Sequence, residues 1–428
     1  GGRHLGKFIH AADIHLDSPL RGLERYEGAP EHIQNATRQA FDNLIGLAID
    51  EAVDFILIAG DLYDDDWRDY NTGLYFATRM NHLREAGIQV FIVRGNHDAA
   101  NHMTRALSLP DNVHVFSHEE PETLILEDLG VAIHGQSFAT KAVTDNIARA
   151  YPEPQRGFLN IGLLHTALEG REGHEPYAPC SVMELIFKGY DYWALGHVHR
   201  REVINEGSPW IVYPGNLQAR HINEEGAKGC TLVTFADGQI QSLEERHLDV
   251  LRWSRCTIDC TTARTPEDVL ELTRGLIPQE LERADGRPVV FRFELTGASS
   301  AHPQLVADEQ RWLNEIRLAV YDAAGGRGWL EKVKFRTTIP AEADTLVPEH
   351  LPRGFLMKYF AELEEDAELI QQLQDEFKEL KSRLPGDLFA DHADLDLDNP
   401  AVFKEFLTEA KHLAESKLSG QEVSAGED

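Results

Sequence analysis

The sequence predicts an α/β fold in which two β-sheets pack together between helices, followed by a small α+β domain and a helical segment. Short apolar runs alternate with amphipathic stretches at about 35–52 and 71–87, and later runs are dense enough for a second sheet. The predicted strands are Lys7–Ala12, Asp54–Gly60, Ile88–Gly95, Val131–Gly135, Asn160–His165, Asp191–Gly196, Ile211–Gly215 and Cys230–Phe235.

The chain of 428 residues is too long for one ordinary core, so we expect three domains. The main α/β domain should occupy residues 1–250, an α+β domain 251–340, and an acidic helical segment with a disordered tail 341–428. In the second domain the predicted elements are strands Arg252–Cys260, Pro288–Leu295 and Leu330–Thr337 and helices 266–284 and 303–322. In the third they are helices 352–383 and 400–417 and a polar tail from Ser419.

The two C-terminal helices carry apolar side chains at spacings of three, four or seven, which define a stripe on each helix. These side chains are Leu356, Phe360, Leu363, Ile370, Leu373, Phe377 and Leu380 in the first helix, and Val402, Phe403, Phe406, Leu407 and Leu413 in the second. The pattern fits two alternatives. The stripes pack against the rest of the chain, or they bind a partner.

Charge and composition limit the functional classes. The formal net charge is −31, and residues 341–428 contribute −14 of it from 22 acidic and 8 basic side chains. This charge weakens a nucleic-acid hypothesis, because phosphate-binding surfaces are usually basic, although bound cations would offset part of it locally. No run of about 18 apolar residues predicts a membrane span, and no secretory signal is expected. Four cysteines without a CxxC pair favour the cytoplasm.

Potential metal ligands follow the ends of five predicted strands, which is where sites form in α/β sheets. They are Asp13, His15, Asp61, Asn96, His165, His197 and His199, with His97 and Asp98 beside Asn96. A spacing of two puts the paired side chains Asp13 and His15, and likewise His197 and His199, on one side of an extended segment. Mixed carboxylate, imidazole and amide ligands suit Mn²⁺, Fe²⁺ or Zn²⁺, and Asp61 could bridge two ions.

These motifs, read in order as D-x-H, G-D, G-N-H-D, H and G-H-x-H, resemble those of calcineurin-like metallophosphoesterases. The segments Ile9–Asp17 and Gly60–Asp64 are most similar to the SbcD/YhaO-like DNA-repair exonucleases. The resemblance implies a layered β-sandwich flanked by helices. It also implies that the 251–340 domain caps the site and holds DNA.

The resemblance further implies a role for each ligand. One ion would be held by Asp13, His15, Asp61 and His199, and a second by Asp61, Asn96, His165 and His197. His97 would be the catalytic histidine, which stabilises the transition state or protonates the leaving oxygen, and Asp98 would orient it. Manganese is the expected ion, with iron, zinc and magnesium as alternatives. At Asp64 bacterial members commonly have aspartate where others have histidine, and no role is assigned to it.

Four basic residues lie near these motifs: Arg200, Arg201, Arg220 and Lys228. They would either bind substrate phosphates or belong to a solvated surface.

The sequence therefore predicts a two-metal DNA exonuclease that could also cut single strands internally. The alternatives are a phosphoesterase acting on nucleotides, cyclic nucleotides or phosphoproteins, and a scaffold without catalysis. Besides DNA, the resemblance implies an SMC-like coiled-coil ATPase bound to the C-terminal helices, and a homodimer formed through helices of the main domain.

Overall fold

The computed structural model describes residues 5–23, 33, 35–64, 70–100, 108–168, 177–340, 352–382, 397 and 399–424. The chain forms two compact units. One contains residues 1–254 and 283–290, and the other contains residues 255–282 and 291–428. The predicted division into three domains, at residues 250 and 340, stays a prediction.

The first unit is built on two six-stranded sheets. Its elements in chain order are β1 (Gly6–Ala11), α1 (Ala36–Asp50), β2 (Phe55–Ala59), α2 (Tyr70–Glu85), β3 (Gln89–Val93), α3 (Asn96–Ala100), β4 (Val113–Val115), β5 (Glu122–Leu126), β6 (Val131–Gly135), β7 (Leu159–His165), α4 (Val182–Phe187), β8 (Tyr192–Gly196), β9 (Glu202–Asn205), β10 (Trp210–Tyr213), β11 (Gly229–Ala236) and β12 (Gln239–His247). The first sheet has the order β12-β11-β1-β2-β3-β4, and the second has the order β5-β6-β7-β8-β10-β9. Four consecutive strands run parallel in each sheet, β1–β4 in the first and β6, β7, β8 and β10 in the second.

The main core lies between the two sheets. Phe8 of β1 stacks on Phe55 of β2 with ring centroids 5.0 Å apart, and Tyr192 of β8 meets Phe8 edge-on at 5.4 Å. The outer face of the first sheet is covered by α1 and α2 through side chains such as Phe41 and Phe76. These layers confirm the predicted α/β class, with sheets flanked by helices.

Four strands that the sequence did not predict form the four edges of the two sheets. They are β4 and β12 in the first sheet and β5 and β9 in the second. Their side chains are only partly buried, and in β12 exposed residues predominate. An edge strand packs on fewer neighbours than a central one, so it lacks the continuous apolar run that reveals the central strands.

In its described residues, the second unit contains most of a three-stranded sheet and six helices. The remaining elements are β13 (Arg252–Asp259), α5 (Pro266–Arg283), β14 (Val289–Ala298), α6 (His302–Ala307), α7 (Glu309–Ala323), β15 (Gly328–Thr338), α8 (Pro352–Glu365), α9 (Ala367–Ser382) and α10 (Pro400–Ser424). The sheet has the order β13-β14-β15. Among the described residues, no helix combines the length and apolar character needed to cross a membrane.

Three helix predictions needed correction. The helices predicted at 303–322 and 352–383 are each divided in two, at Asp308 and Asp366. Asp308 accepts a hydrogen bond from Arg311 N at 3.2 Å, and Asp366 accepts from Leu369 N at 3.0 Å. Each aspartate thus caps the helix that follows it. The tail predicted to be disordered from Ser419 continues α10 as far as Ser424, and residues 425–428 lie outside the described part.

The C-terminal helices bury one part of their apolar stripe and expose another. Leu363 and Phe403 are 3% and 1% exposed, and the ring of Phe377 lies 5.3 Å from that of Phe406. Two other apolar side chains of α8, Phe355 and Tyr359, are 64% and 53% exposed. Packing within the chain therefore accounts for only part of the apolar surface of these helices.

Two glycines, one in β7 and one in α1, give a matched test of side-chain packing in the first unit. A Cβ on Gly162 of β7 would lie 2.3 Å from Trp193 Cε3, whereas a Cβ on Gly46 of α1 would meet nothing within 4 Å. We expect Gly162→Ala to lower the free energy of unfolding by about 1–3 kcal/mol. Gly46→Ala should raise it by up to about 1 kcal/mol, because alanine favours a helix. Denaturant unfolding followed by circular dichroism measures both, and equal stabilities would contradict the packing.

Candidate metal centre

Five predicted ligands lie on the loops that follow β1, β2 and β8, whereas Asn96 begins α3 directly after β3 and His165 is the last residue of β7. The loops are joined by backbone hydrogen bonds from Asp13 N to Gly60 O and from His15 N to Asp61 O, both 3.0 Å. Asp13, His15 and Asp61 have φ values of 50°, 45° and 52°. This left-handed region is unfavourable for residues other than glycine, so the surrounding contacts hold these loops in a strained conformation.

Glycines next to the ligands allow a close approach of the loops. A Cβ on Gly95 would lie 2.3 Å from Asp61 Oδ1 and 2.8 Å from His165 Cε1. Gly60 has a φ of 93°, and a Cβ there would lie 2.3 Å from His165 Nδ1. The centre therefore has no room for a larger residue at either position.

The predicted ligands form two adjoining groups. In the first, ligand atoms of Asp13, His15 and His199 lie within 4.8 Å of one another, and the two Nε2 atoms are 3.3 Å apart. In the second, His165 Nε2 lies 3.5 Å from Asp61 Oδ2 and 2.9 Å from Asn96 Oδ1. Ligand atoms of Asp13, Asp61 and His165 also lie within 4.8 Å of one another, and Asp61 Oδ2 is 4.0 Å from His15 Nε2, so both carboxylates lie between the groups.

The histidine side chains present lone pairs to the centre. His15 Nδ1 donates to Asp64 Oδ1 at 2.6 Å, His199 Nδ1 to Glu224 Oε1 at 2.5 Å, and His165 Nδ1 to Ala59 O at 2.8 Å. Burial lowers the pKa of His15 to about 4, and it also lowers the pKa of His165. A neutral imidazole that donates through Nδ1 has an acceptor at Nε2, which is the form that binds a metal.

The buried carboxylates also suit a cation. Burial, together with nearby Asp61, raises the pKa of Asp13 well above its ordinary value. Burial alone would also raise the pKa of Asp61, but the imidazoles of His165, His97 and His15 outweigh it and hold that pKa below the usual range. Facing acceptors and buried carboxylates are stabilised by divalent cations. The residues present therefore fit such ions.

The two predicted catalytic residues lie beside this centre. His97 N donates to Asp61 Oδ1 at 3.0 Å, and the ring of His97 lies 5.1 Å from that of His15. Asp98 is fully buried and accepts hydrogen bonds from Gly95 N at 3.0 Å and Tyr63 N at 2.9 Å. Burial raises the pKa of Asp98 to about 7. These contacts show Asp98 holding two ligand loops together, and its predicted effect on His97 stays a prediction.

The four basic residues have different surroundings. Arg200 is exposed, and Arg201 Nε lies 3.9 Å from Glu245 Oε2. Arg220 and Lys228 are 7% and 6% exposed. The ammonium group of Lys228 donates to the carbonyl of His199 at 2.9 Å, so it supports the loop that carries this ligand. Their predicted contacts with substrate are untested.

Two acidic residues beside the ligands were not predicted to take part. Asp64 was assigned no role, and Glu224 was not recognised at all, yet each accepts a hydrogen bond from a ligand histidine. Glu224 is 6% exposed and also accepts from Asn216 Nδ2 at 3.0 Å. Its position ten residues after Pro214 in a polar loop was the only signal available in the sequence.

Comparisons with known proteins identify the family. Residues 6–201 match the calcineurin-like phosphoesterase family, and residues 253–338 match the middle domain of metallophosphoesterase YhaO. The chain is 38% identical over 296 residues to a protein described as an uncharacterized metallophosphoesterase, YhaO of Bacillus subtilis (strain 168), covering 68% of this chain and 72% of that one. This chain belongs to the calcineurin-like metallophosphoesterases. Within them it also carries a YhaO-type middle domain, and the predicted family is confirmed.

More distant relatives are DNA-repair proteins. The chain is 27% identical over 335 residues to the DNA double-strand break repair protein Mre11 of Methanopyrus kandleri, covering 71% of this chain and 68% of that protein. Mre11 of Sulfurisphaera tokodaii is 24% identical over 379 residues, covering 85% and 91%. A solved dimetal phosphatase from Danio rerio aligns with 55% of this chain and 98% of its own, with a TM-score of 0.35 and 9% identity.

Gly95→Ala tests the close approach at the centre. The new methyl group would displace the carboxylate of Asp61 or the ring of His165, while the backbone at this position accepts alanine. We expect weaker metal binding and roughly a hundredfold loss of hydrolysis, as a displacement of about 1 Å can cause. Calorimetric titration and a chromogenic phosphodiester measure these effects. Gly46→Ala is the control, and full activity of Gly95→Ala would contradict the geometry.

Proposed function

We propose that this chain is a metal-dependent phosphodiester hydrolase that degrades DNA as an exonuclease and also cuts single strands. The observation that carries the proposal is the pair of ligand groups with Asp61 between them. Their Nε2 and Oδ atoms converge to within 3.3–4.0 Å, which favours two cations bridged by one carboxylate. Manganese is the proposed ion, because the ligand set mixes imidazole, carboxylate and amide oxygen.

The ions and the side chains would have different roles in the reaction. Bound ions would polarise the phosphoryl oxygens and lower the pKa of the attacking water. Asp61 holds the two ligand groups together, and its second oxygen accepts from His97 N, which fixes the start of α3. The imidazole of His97 would then stabilise the transition state or protonate the leaving oxygen.

DNA is proposed as the substrate on two grounds. The Mre11 relatives are described as DNA double-strand break repair proteins. Arg200, which directly follows the ligand His199, is exposed and available to a phosphate. The net charge of −31 favours a second candidate, a phosphoesterase for nucleotides, cyclic nucleotides or phosphoproteins, because a small substrate needs no basic track.

His97→Ala tests the proposed chemistry. We expect metal content to stay at the parent level, since none of the described contacts of this side chain is needed to form either ligand group. Turnover should fall by roughly 10²–10⁴-fold, the usual effect of removing an acid or base. The assay uses Mn²⁺, Mg²⁺ or EDTA with end-labelled single- and double-stranded DNA, beside a small chromogenic phosphodiester.

Asp61→Ala is the contrasting variant in this assay, and it should lose metal and activity together. Near-normal turnover of His97→Ala at unchanged metal content would refute the assigned role. Mn²⁺-dependent DNA degradation supports the nuclease and reveals its polarity. Cleavage of only the small ester by the parent protein would favour the second candidate.

Partners are part of the proposal. An SMC-like coiled-coil ATPase would bind the exposed apolar side chains Phe355 and Tyr359 on one side of α8. Tyr70 and Leu74 of α2, which are 62% and 57% exposed, offer a similar apolar surface for a homodimer. A cytoplasmic location is proposed because all four cysteines are free and buried, which suits a reducing compartment.

Aspartate substitutions on α8 test the proposed contact with the ATPase. The double substitution Phe355→Asp and Tyr359→Asp should weaken binding at least tenfold, because both side chains would lose apolar burial. Lys358→Ala, between them in sequence, is the control. Binding to a purified SMC-like ATPase is measured by biolayer interferometry, with cleavage of the small ester as a check on folding. Unchanged ATPase binding would remove this surface from the proposal.

A further inference from the structure

The two ligand groups are supported differently. In the first group, His15 and His199 donate their Nδ1 hydrogens to the carboxylates of Asp64 and Glu224. In the second group, His165 donates to the neutral carbonyl of Ala59. A carboxylate partner makes an imidazole a stronger electron donor to a metal than a carbonyl partner does. The two groups should therefore differ in their affinity for an ion.

A single buried cation joins the two supporting carboxylates. Arg220 NH1 donates to Asp64 Oδ1 at 3.3 Å, and Arg220 NH2 lies 3.9 Å from Glu224 Oε1. The guanidinium is held in place by a further bond from NH1 to Ser18 Oγ at 3.0 Å, and Arg220 N donates to Glu224 Oε2 at 2.7 Å. Arg220 thus contacts the partners of both histidines in the first group.

We propose that Asp64, Arg220 and Glu224 form a positioning brace that makes the group of Asp13, His15 and His199 the tighter of the two ion-binding groups. This inference rests on the two-ion centre of the proposed function. Arg220 is a positioning residue in this brace, since it acts on the ion through Asp64 and Glu224.

The electrostatics explain why one arginine serves both carboxylates. Glu224 and Arg220 are 6% and 7% exposed, so water does little to stabilise their charges. An uncompensated Glu224 carboxylate at this depth would be unfavourable, and its loss would release the histidine that it orients. The planar guanidinium presents donors in two directions, which an ammonium group cannot do in the same fixed geometry. The brace therefore fixes both carboxylates in position, which keeps both imidazoles aligned.

The two possible roles of Arg220, in the brace or in binding substrate phosphate, predict different effects of its removal. If Arg220 bound phosphate, its removal would raise KM and leave ion affinity unchanged. If it forms the brace, its removal weakens one ion-binding event and leaves KM unchanged once ions are saturating. The two roles are thus separated by measurements on the same variant.

The test is calorimetric titration of the metal-stripped full chain with Mn²⁺. The parent should show two binding events whose dissociation constants differ at least tenfold. Arg220→Met should weaken the tighter event by roughly 10–100-fold, the usual effect of losing a residue that supports a metal ligand, and leave the weaker event unchanged. Asp64→Asn, which preserves size, should act on the same event. Arg292→Met is the control, because Arg292 is similarly buried and binds Glu331 in the second unit.

The outcomes distinguish the brace from a substrate-binding role of Arg220. Unchanged affinities in both Arg220→Met and Asp64→Asn overturn the brace, as does equal weakening of the two events in Asp64→Asn. A raised KM for the small phosphodiester with unchanged affinities assigns Arg220 to the substrate. Thermal unfolding of the metal-stripped proteins shows whether Arg220→Met has a folding defect. If it has, the result for Asp64→Asn decides whether the brace stands. If the parent binds no Mn²⁺, the proposed two-ion centre itself is wrong. If the parent binds two ions with equal affinity, the centre stands and the brace is wrong.

Discussion

The site depends on the burial of two carboxylates, Asp13 and Asp61, at the ends of neighbouring parallel strands. Both are 1–2% exposed, and each accepts one backbone N–H, from His197 and His97 respectively, while also facing imidazole nitrogens. The sheet order β1-β2-β3 brings three ligand loops to one edge, and the layer formed by β7 and β8 supplies the histidines from across the core. Packing of two sheets thus brings together the carboxylates and imidazoles that suit a bound cation.

The central strands were predictable from sequence because they are buried on both faces, which requires continuous apolar runs such as Phe55–Ala59. The edge strands were not, since their composition reflects solvent on one side. The same reasoning applies to helix ends. Asp308 and Asp366 stand within apolar periodicities that continue through them, and their capping role depends on a local turn that periodicity does not reveal.

The ligand set was predictable for a different reason. Asp13, His15 and Asp61 directly follow strands, so their order along the chain is also their arrangement in space. Asp64 and Glu224 act through the folded loops, where 160 positions separate two side chains that share one arginine. No local pattern encodes such a contact. Candidate ion ligands can therefore be predicted from strand ends, whereas the residues that contact them are found only in the structure.

The acidic character of the chain agrees with this arrangement. Asp13, Asp61, Asp64 and Glu224 place four carboxylates around the centre, while Arg220 is the cation in contact with Asp64 and Glu224. Two divalent ions would reverse the sign of the local charge, so the surface that a phosphate meets differs from that implied by the net charge of −31. Attraction of a polyanion to this protein would then depend on metal loading. If the proposed brace sets ion affinity, that dependence would link it to substrate binding as well as to chemistry.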